Sequence, residues 1–274
     1  MRISISTLSK SFQLSDEALR FYERKGLLQP TRINDRGYRV FDRVDIQRMG
    51  NIKRLKNQGF QLDEIRQIYE GISTEDMLAL VTQKLAELER EIEYKQLIAN
   101  RMSECTRLVR LVQSLGETPR LVRIESYYMR LYPSIEDLWE QVESSETLKA
   151  LFCHLPLSSF TTLIPVGALK APDKPQGIQK GVLIREKAAH LLELDVSDGF
   201  THLRSGPAVS CVVHLENGQF ELDDVAGILL PFLEEHRLAP RSDLFTHQIM
   251  NFTDETGAHR HYTELVVPVS PEEG

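Results

Sequence analysis

Arg20-Phe21-Tyr22, followed by Gly26-Leu27-Leu28 and then by Gly37-Tyr38-Arg39-Val40-Phe41, is the stretch on which the reading of this chain turns. Ser15 reads as the N-cap of a helix with Asp16 and Glu17 in its first turn, where acidic groups complement the helix dipole. Ala18, Leu19, Tyr22 and Leu27 supply a buried stripe, and Arg20, Phe21, Arg24 and Lys25 project outward. Gly26 ends the helix. Thr31–Phe41 alternates around Asn34-Asp35-Arg36-Gly37, a turn signal between β-branched and aromatic residues, and predicts a basic hairpin carrying Arg36 and Arg39. A helix for a groove next to a basic hairpin for a phosphate backbone is the plan of a winged helix-turn-helix that binds DNA.

Working outward, a short first helix places Ile5, Leu8 and Phe12 on one face, with Ser4 or Ser6 as N-cap. Asp42–Gln58 predicts a further helix that stops at Gly59, and Gln61–Glu70 another. The formal net charge of the 274 residues is −7, which argues against nucleic acid if the chain is taken as one body. The charge is unevenly spread. Residues 1–70 carry a net +5, residues 71–120 a net −1 and residues 121–274 a net −11. A basic head and an acidic tail imply two domains with different partners, the tail suiting a cation. No apolar run reaches the roughly 18 residues of a membrane span, and the N-terminus lacks a signal-peptide core, so a cytoplasmic protein is expected. Cys105, Cys153 and Cys211 are far apart, which disfavours disulfide, zinc and iron–sulfur scaffolds. His259-Arg260-His261 lacks a third ligand, and neither a metal nor a cofactor is expected.

The pattern Leu14-Ser15, Ala18-Leu19-Arg20-Phe21-Tyr22-Glu23, Gly26-Leu27-Leu28, Pro30, Arg32 and Gly37-Tyr38-Arg39, Phe41 resembles the DNA-binding domain of the MerR family of transcriptional regulators. The resemblance implies that Ser15, Arg20 and Tyr22 contact bases and phosphates, and that Arg36, Tyr38 and Arg39 act from the wing. Phe21 stands where many members have Tyr. It further implies a homodimer on a palindromic promoter of double-stranded DNA, which distorts the DNA so that RNA polymerase can use it. Metal-sensing and redox members carry cysteines near the end of the dimerisation helix, and this chain offers only Cys105 there.

From Leu78 a heptad runs through Val81, Leu85, Leu88, Ile92, Lys95, Ala99, Met102, Thr106 and Val109. Steps of three and four with mostly apolar positions make a coiled-coil seam. A rod of this length, roughly 55 Å, is too long to be satisfied inside a small domain and suits an antiparallel dimer.

Beyond Gly116-Glu117-Thr118-Pro119 two stretches repeat one order of elements. Strand 121–131, helix 133–151 and strands 161–166 and 181–185 are followed by strand 208–215, helix 221–236 and strands 245–252 and 262–269. The expected class is therefore α+β: a winged helix-turn-helix (1–72), a coiled-coil dimerisation helix (73–116) and a duplicated β-α-β-β domain (120–274) with helices on one face of an antiparallel sheet. This duplication, and the closing strand Tyr262-Thr263-Glu264-Leu265-Val266-Val267-Pro268-Val269, resemble the GyrI-like effector-binding domain of multidrug-sensing regulators. That resemblance implies that Glu264 is the pocket carboxylate for a lipophilic cation. Tyr127, Tyr128, Trp139, Phe245 and Tyr262 are candidates for rings that add cation–π attraction. The competing readings are a hydrolase, since some GyrI-like proteins hydrolyse small molecules, and a ligand-independent repressor. Cys211 and His214 fall on opposite faces of a strand, no pair of groups compels a catalytic site, and none is assigned.

Overall fold

A computed structural model describes residues 2–30, 32–33, 39–173, 175–216 and 221–271. The chain divides into two compact units, Met1–Ile92 and Glu93–Gly274.

In the first unit a two-residue strand β1 (Ile3–Ser4) leads into α1 (Ile5–Phe12), which Ser4 caps by accepting from the Thr7 N–H. Helix α2 (Asp16–Arg24) is capped by Ser15, whose hydroxyl accepts the Ala18 N–H at 3.0 Å. Gly26, at φ 72°, closes it: the Leu27 N–H reaches the Tyr22 carbonyl and the Gly26 N–H the Glu23 carbonyl, a Schellman ending. Strands β2 (Arg32–Ile33) and β3 (Arg39–Phe41) pair antiparallel, with β1 on the other side of β3. The antiparallel pairing of β2 and β3 is as expected, the turn at 34–37 lying outside the described residues; the third strand, only two residues long, has no sequence signal. Residues Arg36 and Tyr38 lie outside the described residues. Asp42 and Asp45 cap each other's backbone to open α3 (Arg43–Asn57), and α4 (Leu62–Glu70) follows. Leu8, Leu19, Leu27, Phe41, Met49 and Ile52 form one buried core among these elements. Helix α5 (Thr74–Leu115) starts here, and the boundary between the units falls inside it. Lys84 of α5 ties it to α4 through Glu64 at 3.0 Å.

The second unit is built on an antiparallel sheet. Its strands are β4 (Arg120–Ile124), β5 (Tyr127–Tyr132), β6 (Ser158–Ile164), β7 (Gln179–Arg185), β8 (Thr201–Leu203), β9 (Gly206–Glu216), β11 (Leu244–Thr253) and β12 (His259–Pro271), with β10 (Leu238–Pro240) against β12. The order is β4-β9-β12-β11-β6-β7-β5-β8. Two modules are visible in it: β5-β7-β6 with α6 (Ile135–Val142) and α7 (Glu146–Cys153), and β9-β12-β11 with α10 (Leu222–Glu235). They join edge to edge where Leu244 faces Ile164 and Phe245 faces Leu163. The repeated β-α-β-β layout is thus present. Short helices α8 (Val166–Lys170) and α9 (Glu186–Leu191) are additions.

Three expectations change. The single strand over 121–131 is two strands on different neighbours, because Ser126 accepts the Glu186 N–H on its carbonyl and the Ser205 N–H on its hydroxyl, turning the chain. The helix over 133–151 breaks at Ser145, which caps α7. Finally, helices do not occupy one face alone. Helix α10 covers Val209, Cys211, Leu265 and Val267, and α6, α7 and α9 cover Val182 and Ile184 on the same face. The second half of α5 covers the other, with Cys105, Leu108 and Val109 on Val212, Ile249 and Tyr262.

Ile52 is fully buried, so Ile52→Ala should destabilise the first unit by about 2–5 kcal/mol through lost transfer energy and a residual cavity. The check is the urea midpoint of the helical circular dichroism signal.

Candidate functional site

In the head, α2 presents Arg20 and Phe21 to solvent, Phe21 being 39% exposed. Arg24 and Lys25 lie 5.8 and 5.9 Å from the Phe21 ring, so the helix face carries two cations over one ring. Several of the basic groups are already engaged: Arg24 by Glu17 at 2.8 Å, Arg39 by Glu23 at 2.7 Å, and Lys25 more loosely by Asp63 at 3.9 Å. Arg20 has no hydrogen bond or ion pair among the described residues. It is therefore the cation on this helix that can meet a phosphate or base without first breaking a pair. Tyr22 sits half-buried against the head core, and burial pushes its hydroxyl pKa up. Ser15 spends one lone pair of its oxygen on the helix cap and keeps its O–H to donate.

The heptad residues of α5 form an uncovered apolar stripe: Leu78, Val81, Leu85, Leu88, Ile92 and Met102 are all exposed, whereas Val109 is buried in the second unit. A different face of the same helix, through Leu97, Arg101, Cys105 and Leu108, turns to the sheet. The seam alone was legible in the heptad.

In the second unit, register sorts the candidate residues. Glu264 is opposite Val212 and His247, and shares its face with Tyr262 and Val266. Ser210 donates to its carboxylate at 2.5 Å. Burial raises the Glu264 pKa, the Ser210 hydrogen bond opposes that rise, and the Glu104 charge adds to it. Tyr127 and Phe245 lie on this face, rings 5.6 Å apart. Tyr262 is there too, beside His214 and Phe252. Tyr128 and Trp139 are not. Tyr128 stacks on His202 at 4.7 Å on the helix-covered face, and Trp139, half-exposed on α6, stacks on Phe152 at 5.1 Å. Alternation puts adjacent Tyr127 and Tyr128 on opposite faces, so of the five candidate rings Tyr128 and Trp139 do not share the face of Glu264. Cys211 faces α10 while His214 faces away, so this pair forms no dyad.

What surrounds Glu264 instead is a polar cluster that includes α5. Glu104 accepts from Arg101 at 3.0 Å and from Arg185 at 2.5 Å, and Arg101 also donates to the Gln248 carbonyl at 2.8 Å. Burial opposes the Glu104 charge, yet Arg185 and Arg101 outweigh it and hold its pKa below the ordinary range. Arg185 bonds the Tyr127 hydroxyl and pairs with Glu125 at 3.2 Å. His247 is 3% exposed, and burial, then Arg101 and Arg185, lower its pKa well below the usual value. A cavity of about 120 Å³ opens here, walled by Leu97, Asn100 and Arg101 of α5, by Leu157 and by Leu183, Arg185 and His247 of the sheet. Arg101, Glu104, Arg185 and His247 were absent from the sequence reading. Arg101 and Glu104 look like an ordinary solvated i,i+3 pair on a charged helix, and no local signal reports Arg185 far along the chain.

A helix-turn-helix with a capped second helix and an adjoining antiparallel hairpin defines the head as a DNA-binding module. Residues 3–72 match the family described as MerR HTH family regulatory protein, and residues 46–105 that described as MerR, DNA binding. Over residues 3–105 the chain is thus similar to the DNA-binding region of MerR-family regulators. Nodulation protein NolA of Bradyrhizobium elkanii is 30% identical over 118 residues, 43% of this chain and 53% of that protein. The chain thus spans about half the length of that relative. The HTH-type transcriptional regulator CueR of Escherichia coli O157:H7 is 29% identical over 105 residues, 36% of this chain and 78% of that one. The crystal structure of a MerR family transcriptional regulator from Bacillus cereus aligns at 26% identity over 43% of this chain and 87% of its own, with a TM-score of 0.37.

The Glu264 pKa is raised in the folded chain, so folding becomes less favourable as pH climbs from the unfolded carboxyl range, about 4.3, toward the folded value, and the deficit is constant above it. Glu264→Gln removes that deficit. Its urea stability relative to the parent should grow as pH rises above the unfolded carboxyl range, about 4.3, and level off once pH passes the folded value, by about 1.4 kcal/mol for each unit separating the two. A difference that stays flat with pH would show that Glu264 ionises freely.

Proposed function

We propose that this protein is a ligand-responsive transcription regulator that acts as a homodimer on a palindromic promoter. The observation that carries the reading is α5, a single 42-residue helix whose stripe Leu78, Leu85 and Ile92 has no cover in one chain while its later turns wall the cavity of the acidic unit. An exposed heptad seam is covered by a second copy, and a dimer sets two recognition helices on two half-sites. The effector binds in the second unit beside Glu264. On binding, the dimer distorts the DNA between the half-sites and so lets RNA polymerase use the promoter; the ligand must favour the activating state to do this. A lipophilic cation, the effector class implied by the GyrI-like resemblance, would be drawn by Glu264, Tyr127 and Phe245 but opposed by Arg101 and Arg185 in the same cluster.

Two measurements test the reading. Arg20→Ala should weaken binding to DNA selected by the protein from a randomised pool and reduce the slope of log affinity against log salt by about 0.9. Arg24→Ala, which removes a cation already held by Glu17, should do less; equal affinity for the parent and Arg20→Ala would reject the assignment of α2. Leu85→Glu, on the exposed seam, should sediment as a folded monomer, and a dimer of unchanged stability would reject the seam.

A further inference from the structure

The cavity between the second half of α5 and the sheet is lined on its polar side by donors. Arg101, Arg185, Lys187, Asn100 and His247 face it, and Glu125 is the carboxylate among the lining residues. The Glu125 side chain is 65% exposed and already pairs with Arg185. Glu264 lies outside the lining, its carboxyl held by Ser210.

Two features show donors without acceptors. Arg185 uses Nε and one terminal nitrogen on Tyr127, Glu125 and Glu104, and Arg101 uses both terminal nitrogens on Glu104 and Gln248. Arg185 Nη1 and Arg101 Nε make no hydrogen bond among the described residues. His247 is more telling. It is 3% exposed, faces the cavity, and neither ring nitrogen has a hydrogen-bond partner among the described residues. Its ring nitrogens open onto the cavity and are not sealed in protein, so a molecule lodged there can supply the hydrogen bond that the described residues do not.

The rest of the lining is apolar: Leu97, Pro156, Leu157, Leu183 and Ala188. At about 120 Å³, the space approaches the roughly 150 Å³ of an engineered cavity that holds benzene. Two guanidinium groups with spare donors, an unpartnered imidazole and an apolar wall together specify a small amphipathic anion. Guanidinium groups match a carboxylate through paired N–H donors. A cation here would sit among like charges.

We propose that this cavity binds a small organic carboxylate, its oxygens held by Arg185 and Arg101 with a hydrogen bond from His247, and its apolar body against Leu157 and Leu183. The proposal rests on the reading of this region as the effector site and gives that effector its chemical class. Since Leu97, Asn100 and Arg101 belong to α5, the carboxylate would bridge the sheet to the helix that carries the dimer seam.

The test uses the full-length protein in differential scanning fluorimetry and calorimetry, at matched ionic strength, with benzoate, benzylamine and inorganic phosphate as probes. Benzoate should raise the melting temperature and the other two should not. Arg185→Met should weaken benzoate at least about tenfold. Lys187→Glu, at a side chain that is 64% exposed and pairs with the half-exposed Glu93 at 3.3 Å, should weaken benzoate at only the small cost of a surface pair, and it decides the matter if Arg185→Met does not fold. Absence of a benzoate shift, a shift with phosphate instead, or benzoate affinity indifferent to Lys187→Glu would overturn the proposal. Benzylamine binding that strengthens in Arg185→Met would overturn the carboxylate and leave the effector reading standing. Benzoate binding that alters neither DNA affinity nor promoter output would leave the carboxylate site standing and remove the effector reading.

Discussion

Glu104 stands between two guanidinium groups, and the second unit depends on that contact. One of them, Arg101, is its neighbour one turn back on α5; the other, Arg185, comes from the end of β7. A carboxylate this enclosed is tolerable because it has two cationic partners, and each cation in turn reaches a further acceptor, Arg101 the Gln248 carbonyl and Arg185 the Tyr127 hydroxyl and Glu125. Removing either arginine would strand charge in a crowded site, which is far more costly than losing a surface pair. The triad therefore fixes α5 on the sheet at one place, while Cys105, Leu108 and Val109 supply the apolar contact beside it.

From this follows the division of labour along α5. Steps of four, three and four carry Arg101, Cys105, Leu108 and Val112 down one side, toward the sheet. Leu85, Leu88, Ile92 and Met102 run down another and stay exposed. A single helix with two differently directed faces can be held by its own chain and still offer a surface to another. Cys105 and Cys211 take part as small apolar groups: burial raises both thiol pKa values, that of Cys211 to about 12, so neither is an ionised nucleophile at neutral pH.

Legibility in the sequence followed the range of the forces involved. The caps at Ser4 and Ser15, the glycine ending at Gly26 and the heptad of α5 are set by neighbours within a few residues, and all could be read directly. The doubled order of strands and helices was also visible, because each element carries its own periodicity. What failed was decided at a distance. Residues 125–126 break a strand because Ser126 bonds Glu186 and Ser205. Arg101 and Glu104 become a buried site only once Arg185 arrives across 81 residues. Period-two alternation placed Glu264 with Tyr262, as found, but could not tell which of the distant rings shared its face, so Trp139 and Tyr128 were grouped with it wrongly.

Trp139, the single tryptophan of the chain, stacks on Phe152 and lies 6.4 Å from Phe160, on the face of the sheet away from Glu264 and His247. Indole emission in this protein therefore reports most directly on the α6–α7 face, where a molecule resting on α6 would meet the half-exposed ring itself.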